Sequence, residues 1–335
     1  MTDSPDMPVS VASPRPWPPV IPLLLVAVAV AAAAALPLLI SGYRLSLATE
    51  MLIFAVLAMS IDLLAGFAGR TSLGHGAIFG VSAYVVLYAV TKVGFSPYLA
   101  CLLGVLAATA VAAIFAVLAI RTSGVYFLLL TLALGMVVWG ICLRWTAVTG
   151  GENGLRGELR IGVFADRTVF YWTVLAATAL LAGAMWRFVR SPFGLTLRGI
   201  CDSESRMRSL GYDVSLHLFI GFTVSGFFAG CAGALYAFFN DFVSPSTVAL
   251  SQSVAALLMA IVGGIGTLFG GLVGAAVVIA LQNVVSSYTE RWQMVLGIAF
   301  ILIMIFAPEG ILGKLRVNLR AMHERRRTRK VGGSL

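Results

Sequence analysis

Two ionisable side chains, Asp62 and His75, occur in or directly beside long apolar stretches of the sequence. An ionisable group inside a membrane is energetically costly, and it usually serves a transport pathway, a proton relay or a structural ion pair. The glycine-rich segment 66–76 joins the two residues and also contains Arg70, which lies eight positions after Asp62. This separation is about 12 Å along a straight helix, so Asp62 and Arg70 can pair only if the intervening chain folds back.

Small and polar residues in the same segment suit the path of a solute. Gly74, Gly76 and Gly80 let a neighbouring backbone approach closely, as small residues do at helix contacts in membranes. A structural ion pair or an interfacial charge is the alternative interpretation of the ionisable residues in and beside this segment. The residues that we expect near a solute pathway are Asp62, Arg70, Ser72, His75 and Gly76.

A second glycine-rich segment, 263–274, interrupts the apolar C-terminal half of the chain. Glycine permits a turn, and non-helical backbone is tolerated at membrane depth only where protein or a water-filled cavity surrounds it. Transporters often place their binding sites at such discontinuous segments, so Gly264 and Gly266 are further candidates for the pathway. The four-residue spacing of Gly266, Gly270 and Gly274 also predicts one glycine face for close helix packing.

The sequence carries no motif for hydrolysing ATP or for metal catalysis. It contains no G-x-x-x-x-G-K-[ST] phosphate loop, no H-E-x-x-H and no G-x-S-x-G, and it has three histidines in all. Its four cysteines show neither a metal-binding spacing nor a disulfide framework. We therefore expect no cofactor and no enzymatic activity in this chain, and any ATP must be bound by separate subunits.

Composition indicates which elements must position these residues. Of 335 residues, 60% are hydrophobic and 11% are charged, and the mean hydropathy is +0.98. Soluble domains have about 25% charged residues, and a membrane-spanning helix uses about 20 apolar residues. The chain therefore fits an all-α polytopic membrane protein with about ten transmembrane helices. The apolar segments are 21–40, 47–66, 73–90, 98–120, 125–143, 169–186, 216–239, 252–262, 268–285 and 292–307.

Basic residues predict the orientation of these helices, because Lys and Arg accumulate on the cytoplasmic side of membranes. With the polar loop 187–213 and the C-terminal tail inside, 16 of the 23 basic residues lie on the cytoplasmic side. Both ends of the chain are then cytoplasmic, and residues 240–291 must cross the membrane an even number of times. The sequence thus predicts either ten spans or eight spans with a re-entrant hairpin.

The chain divides into three regions on this basis. We expect a cytoplasmic N-terminal tail at 1–20, a transmembrane domain at 21–310 and a basic cytoplasmic tail at 311–335. The N-terminal tail lacks the basic start of a cleaved signal, so we expect segment 21–40 to be a retained helix. The basic tail favours contact with solvent or lipid headgroups over contact with nucleic acid.

The polar loop 198–213 predicts a short cytoplasmic helix of about eight residues. An N-capping residue, an acid in the first turn, bases in the last turn and a glycine after the end all match the helix termini and dipole. A capped, charged helix between two spans is suited to binding a soluble partner, and an ordinary solvated connector is the alternative. The residues of this pattern are Asp202, Glu204, Arg206, Arg208 and Gly211.

These segments together resemble the permease subunits of branched-chain amino acid ABC transporters, nearer the LivM-type than the LivH-type membrane subunit. The family pattern G-Y-A-G-Q-x-S-L-G-H corresponds to residues 66–75, where Arg70 stands in place of the usual Gln. The resemblance covers roughly residues 45–315, and its specificity comes from the order and spacing of the motifs. The other matching segments are Arg121–Phe127, Thr149–Leu155, Ser209–Val214, Ala232–Tyr236, Gly263–Gly274 and Pro308–Gly310.

The resemblance implies a multi-pass subunit of the bacterial inner membrane that imports branched-chain or related hydrophobic amino acids by alternating access. It also implies a second permease subunit, two cytoplasmic ATP-binding subunits and a periplasmic substrate-binding protein as partners. By this analogy, residues 202–211 would be the coupling helix that binds an ATPase. Because Arg70 adds a charge beside the expected pathway, urea and short amides remain open as substrates.

Three other functions are open at this point. A proton-coupled secondary transporter would use Asp62 and His75 as a relay. A membrane-embedded enzyme would need a nucleophile and a base, and the sequence shows no such pair. A structural membrane scaffold would leave the intramembrane ionisable residues unexplained.

Overall fold

The structure is a computed structural model that describes residues 36–37, 42–160, 165–289, 291, 294–295, 297–298, 300–301, 305 and 310–313. The predicted tail at 1–20 lies outside the described residues, and the predicted tail at 311–335 is described only at 311–313. The predicted first span, 21–40, lies almost entirely outside them, and the last span, 292–307, is described only at scattered positions.

The described chain is almost entirely helical, with one short pair of strands. Its elements in chain order are α1 Tyr43–Phe67, α2 His75–Thr91, α3 Pro97–Ala119, α4 Gly124–Arg144, α5 Thr146–Thr149, a 3-10 turn Gly151–Asn153, β1 Leu155–Arg156, α6 Arg167–Val189, α7 Pro192–Asp202, α8 Glu204–Ser209, α9 Val214–Asn240, β2 Phe242–Val243, α10 Pro245–Val248, α11 Leu250–Gly263 and α12 Gly270–Tyr288.

Six of these helices are long and apolar enough to cross a membrane: α1, α3, α4, α6, α9 and α12. Helices α2 and α11 are also apolar but have 17 and 14 residues, which correspond to about 25 Å and 21 Å. A helical chain with several membrane-spanning segments is therefore confirmed. The number of crossings, ten or eight with a re-entrant hairpin, stays a prediction because both terminal segments fall largely outside the described residues.

Helix α1 lies at the centre of the bundle. It packs against α6, α9, α11 and α12, and all of its residues from Ile53 to Ala65 are buried. A helix that is apolar on every side must be surrounded by other helices, and α1 satisfies this rule even though it contains Asp62. The other helices therefore take their positions relative to α1.

Small residues bring α9 into close contact with its neighbours α2 and α3. Gly226 and Gly230 of α9 face Ala112 and Ala108 of α3. A Cβ atom at Gly233 would overlap the carbonyl oxygen of Phe79 in α2. These contacts have the small-residue character of helix interfaces in membranes.

The glycine-rich segment 263–274 separates two antiparallel helices. Helix α11 ends at Gly263 and α12 begins at Gly270, and these two glycine backbones lie against each other. Gly274 likewise lies against the backbone of Met259. The predicted placement of Gly266 on the same helical face is wrong, because Gly266 lies in the turn with a φ of 77°.

One end of the bundle carries the strand pair β1–β2, and we refer to it as the ribbon end. Leu155 pairs with Val243 in antiparallel register. Arg160 donates hydrogen bonds to Asp241 Oδ2 from Nε at 3.2 Å and Nη2 at 3.0 Å, while Leu159 N–H donates to Oδ1 at 3.0 Å. The loop after α4 is thereby attached to the end of α9.

Helices α7 and α8 lie at the opposite end, which we call the α8 end. Helix α9 has 27 residues, about 40 Å, and it separates α8 from β2. The predicted single helix with Asp202 as N-cap is wrong: α7 continues through Asp202, and Ser203 caps α8 by accepting a hydrogen bond from Arg206 N–H at 3.4 Å. Gly211 follows α8 with a φ of 88°, in agreement with its predicted place after the helix end.

The contact between Gly233 and Phe79 can be tested with the smallest possible substitution. Gly233→Ala adds one methyl group against a backbone oxygen, and overpacking of this kind costs about 1–3 kcal/mol. We expect a lower melting temperature of the detergent-solubilised protein, measured by fluorescence-detected size-exclusion chromatography after heating. Gly140→Ala in α4 is the matched control, because a Cβ there meets nothing within 4 Å. Equal melting temperatures for both variants would contradict the close contact.

Candidate solute pathway and coupling contact

Asp62 binds the turn between α11 and α12. Its Oδ1 accepts a hydrogen bond from Gly266 N–H at 2.6 Å, and its Oδ2 accepts one from Leu268 N–H at 2.7 Å. Asp62 is 0% exposed. The carboxylate therefore satisfies two backbone donors that have left the helical pattern inside the bundle.

The backbone of this turn explains why it needs such support. Leu268 has a φ of 59°, a left-handed conformation that is unfavourable for a bulky side chain, and Gly264 and Gly266 also have positive φ values. Residue 66 must be glycine for α1 to approach this turn so closely, since a Cβ there would overlap Gly266 N and lie 2.5 Å from Asp62 Oδ1. The two glycine-rich segments thus meet at Asp62.

His75 lies at the start of α2, against α1 and α9. The Ser225 hydroxyl donates its proton to the carbonyl oxygen of Ser60 at 2.6 Å. Ser225 Oγ must therefore accept the hydrogen bond that joins it to His75 Nε2 at 2.7 Å. This assignment places the imidazole proton on Nε2. Within the described part of the chain, the buried Nδ1 atom has no hydrogen-bond partner. His75 therefore joins three helices as a neutral donor.

The loop between α1 and α2 is held by polar contacts with two other helices. Ser72 is buried, and its Oγ accepts a hydrogen bond from Gly74 N–H at 3.1 Å. Leu73 N–H donates to Thr131 Oγ1 in α4 at 3.1 Å. Gly76 N–H donates to Ser253 Oγ in α11 at 2.9 Å. Movement of this loop would therefore displace α4 and α11 as well.

Arg70 connects the same loop to the α8 end. Its guanidinium pairs with the Glu204 carboxylate in α8 and donates to the carbonyl oxygen of Thr122 at 3.0 Å, in the loop before α4. The guanidinium also lies 5.8 Å from the ring centre of Phe127 in α4. Arg70 is 6% exposed whereas Glu204 is 36% exposed, so a nearly buried cation is neutralised by an acid at the surface.

A small cavity opens beside Arg70, between α1, α3, α4 and α9. Its other walls are apolar and include Leu64, Phe127 and Phe222. Among the residues predicted to line a pathway, Arg70 borders this cavity. Asp62, Ser72 and His75 are not among its lining residues, and they form hydrogen bonds with other protein groups.

Helix α8 turns one side toward the bundle and the other toward solvent. Met207 is buried against Gly199 of α7. The thiol of Cys201, near the end of α7, packs on Gly69. Desolvation and the nearby Asp202 carboxylate raise the pKa of this thiol. The exposed side chains around α8 include two bases, two acids, two hydroxyls and two large apolar groups: Arg206, Arg208, Asp202, Asp213, Ser205, Ser209, Leu210 and Tyr212.

The structure forms two contacts among the predicted residues. Asp62 binds the turn that contains Gly264 and Gly266, while Arg70 and Glu204 join the α1–α2 loop to α8. Asp62 and Arg70 bind different partners. The sequence analysis did not identify Ser225, Ser253 or Thr131, although hydroxyl residues inside apolar helices are a signal for helix–helix hydrogen bonds.

The role of Asp62 in the turn predicts the effect of Asp62→Asn. The amide has one acceptor oxygen, and its NH₂ group would face a backbone N–H, leaving a buried donor unsatisfied at a cost of about 1–3 kcal/mol. We expect reduced thermal stability in detergent, with Glu158→Gln at an exposed loop position as the control. Unchanged stability combined with loss of pH-dependent uptake would instead indicate a proton relay.

Comparison with known proteins places this arrangement in a family. Residues 43–305 match the family model described as the branched-chain amino acid transport system / permease component. The chain is 26% identical over 313 residues to the high-affinity branched-chain amino acid transport system permease protein LivM of Salmonella typhimurium, and the alignment covers 85% of this chain and 74% of that protein. The LivM protein of Escherichia coli gives the same identity and coverage.

A more distant relative has the other subunit type. The chain is 22% identical over 286 residues to the probable branched-chain amino acid transport permease protein LivH of Methanocaldococcus jannaschii, covering 79% of this chain and 89% of that protein. The family match spans the whole described bundle from α1 to the scattered residues after α12. The chain therefore belongs to the permease component family of branched-chain amino acid transport systems.

Proposed function

We propose that this chain is the membrane-spanning permease subunit of an ATP-driven importer for branched-chain or related hydrophobic amino acids. The observation that carries the mechanism is the Arg70–Glu204 ion pair, because it links a surface helix to the loop beside the cavity. The names of the relatives support the amino acid as substrate.

The exposed side of α8 is suited to binding an ATPase subunit. Arg206 and Arg208 provide positive charge, and Leu210 and Tyr212 provide exposed apolar surface. A complementary groove would contain carboxylates around an apolar floor. Residues 202–211 then act as the coupling element, with the single extended residue Ser203 between α7 and α8.

Movement of α8 would reach the pathway through Arg70. The guanidinium holds Glu204 on one side and the Thr122 carbonyl oxygen on the other, so displacement of α8 pulls on both the α1–α2 loop and the start of α4. Alternating access follows if the bundle repacks between two arrangements when the ATPase subunits close.

The remaining partners follow from the same assignment. ATP would be bound by two cytoplasmic subunits, since this sequence has no phosphate loop. A periplasmic substrate-binding protein would deliver the solute at the ribbon end, and the α8 end and both termini would face the cytoplasm of a bacterial cell, with the bundle in the inner membrane.

A second permease subunit fits the uneven burial of α4. This 21-residue apolar helix buries Phe127, Thr131, Gly135 and Cys142, and it leaves much of its apolar surface exposed. Partner permease and lipid together would cover this surface. The relatives include both LivM and LivH proteins, which supports a heterodimer.

The alternatives have weaker support from the geometry. A proton relay through Asp62 and His75 would need exchangeable partners, but Asp62 accepts from backbone N–H groups and His75 donates to Ser225. Urea and short amides remain alternative substrates, because Arg70 is neutralised by Glu204 and does not by itself define a solute.

The proposed division of labour can be tested by reconstitution. The purified chain alone should neither hydrolyse ATP nor accumulate radiolabelled L-leucine in proteoliposomes. The complex with its second permease, ATPase subunits and binding protein should do both, and leucine should stimulate the ATPase. Leucine uptake by this chain alone under a proton gradient would overturn the proposal.

The ion pair predicts a loss of coupling when either partner is neutralised. Glu204→Gln and Arg70→Gln should each reduce leucine uptake per ATP hydrolysed, because each removes the ion pair between α8 and the α1–α2 loop. Coupling between two sites typically changes a binding affinity by about 5–150-fold. The double variant should lose less than the sum of the two single losses, since an unpaired buried charge is then absent. Fully additive losses would contradict a role of the pair itself.

A further inference from the structure

The outward side of α6 has an exposed tryptophan near each end. Trp172 lies near the ribbon end and is 43% exposed, and Trp186 lies near the α8 end and is 37% exposed. The two positions are about 21 Å apart along the helix. Every exposed residue from 176 to 184 is alanine, leucine or glycine. Because tryptophan is enriched where membrane hydrocarbon meets the lipid headgroups, Trp186 marks that level at the α8 end.

Two exposed arginines follow Trp186 at the end of the helix. Arg187 lies in the last turn of α6, and Arg190 is the residue that caps its C-terminus. The Arg190 guanidinium lies 4.3 Å from the ring centre of Trp186, and positions 187 and 190 are neighbours on a helix surface. Two guanidinium groups and one indole therefore share one side of the helix end.

These two positive charges are not neutralised by acids in the part of the chain that the structure describes. No ion pair among the described residues includes Arg187 or Arg190. The sequence also contains no acid from position 167 to position 201. Guanidinium groups match the geometry of phosphate, and clustered bases next to a membrane span attract anionic lipid headgroups.

The position along α6 favours a lipid over a soluble partner as the source of this phosphate. Helix α6 has 23 residues, about 35 Å, whereas the hydrocarbon core of a bilayer is about 30 Å thick. Its last turn therefore emerges at the level of the headgroups. The proposed ATPase contact, α8, is separated from this turn by the whole of α7.

The start of α7 packs against the end of α6 beside the arginines. A Cβ atom at Gly194 would overlap the carbonyl oxygen of Val189, and the ring centres of Phe188 and Phe193 are 5.4 Å apart. Leu195 of the same helix is 61% exposed, as is common for an amphipathic helix at a membrane surface. A ligand held at the end of α6 would therefore also stabilise the start of α7.

We propose that Trp186, Arg187 and Arg190 form a binding site for the phosphate group of an anionic phospholipid, in the membrane leaflet at the α8 end. The guanidinium groups bind the phosphate, and the indole lies between the headgroup and the acyl chains. The bound lipid stabilises the junction of α6 and α7, and through α7 the position of α8. This site goes beyond the proposed function and requires none of the proposed protein partners.

The site can be tested on the full chain in a neutral detergent. After bound lipid has been removed, the chain is mixed with equal amounts of anionic phosphatidylglycerol and zwitterionic phosphatidylcholine, and the retained lipids are identified by native mass spectrometry. The wild type should prefer phosphatidylglycerol. Arg187→Gln and Arg190→Gln should each lower this preference about five-fold, the usual contribution of one basic residue near an anionic membrane surface. Replacing both arginines with lysine keeps the charge and should retain most of the preference.

Matched variants separate the site from a general effect of charge. Arg121→Gln combined with Arg156→Gln removes the same charge as the double glutamine variant of α6, at exposed positions on other parts of the chain, and should leave the preference unchanged. Phosphatidylglycerol should also raise the melting temperature of the wild type but not that of the double α6 variant. If the double variant does not fold, the two single variants decide the question.

Three results would overturn the proposal. The first is an equal preference for phosphatidylglycerol in the wild type and in the folded α6 variants. The second is displacement of the lipid by excess free glycerol phosphate, which would make a soluble anion the ligand. The third is unchanged lipid binding with loss of ATPase-subunit binding, which would assign the arginines to a protein partner. Leucine uptake enters none of these measurements, so failure of the lipid site leaves the proposed transport function standing, and absence of leucine uptake leaves the lipid site standing.

Discussion

A backbone N–H group that leaves a helix inside a membrane bundle has no water to bind, and this constraint governs the centre of the structure. The turn between α11 and α12 presents such donors at Gly266 and Leu268, and Asp62 supplies an acceptor for each. Fixed backbone dipoles in turn stabilise a carboxylate that would be costly in an apolar helix. Because α1 is the most buried of the candidate membrane spans, this contact fixes the turn relative to the rest of the bundle.

Close packing around α1 depends on small residues, and hydroxyl groups join the helices where the backbones approach. Gly76 brings the start of α2 near Ser253, and Ser225 links His75 to the backbone of α1. The same closeness that allows these hydrogen bonds leaves little space for rearrangement of a single helix. Motion of the bundle therefore requires several helices to move together, with the α1–α2 loop as their common contact.

Much of the fold could be predicted from hydropathy alone. The predicted segments 98–120 and 216–239 correspond to Pro97–Ala119 and Val214–Asn240, because continuous apolar runs determine both burial and helix length. The predicted N-cap of α8 is wrong by one residue. Asp202 and Ser203 are both good capping residues, and only the extension of α7 through Asp202 decides between them.

The local sequence pattern could not predict contacts between segments that are far apart in the chain. Asp62 and Leu268 are 206 positions apart, and Arg70 and Glu204 are 134 positions apart, so no spacing rule relates them.

The Arg70–Glu204 pair has a consequence for how such subunits can be recombined. At the position of Arg70 the family pattern has an uncharged Gln, which needs no counter-ion. Here the cation is nearly buried, so replacing the α8 segment with one that lacks the acid would leave a charge without compensation. An exchange of the segment 203–211 that removes Glu204 must therefore also replace Arg70 in the loop 68–76.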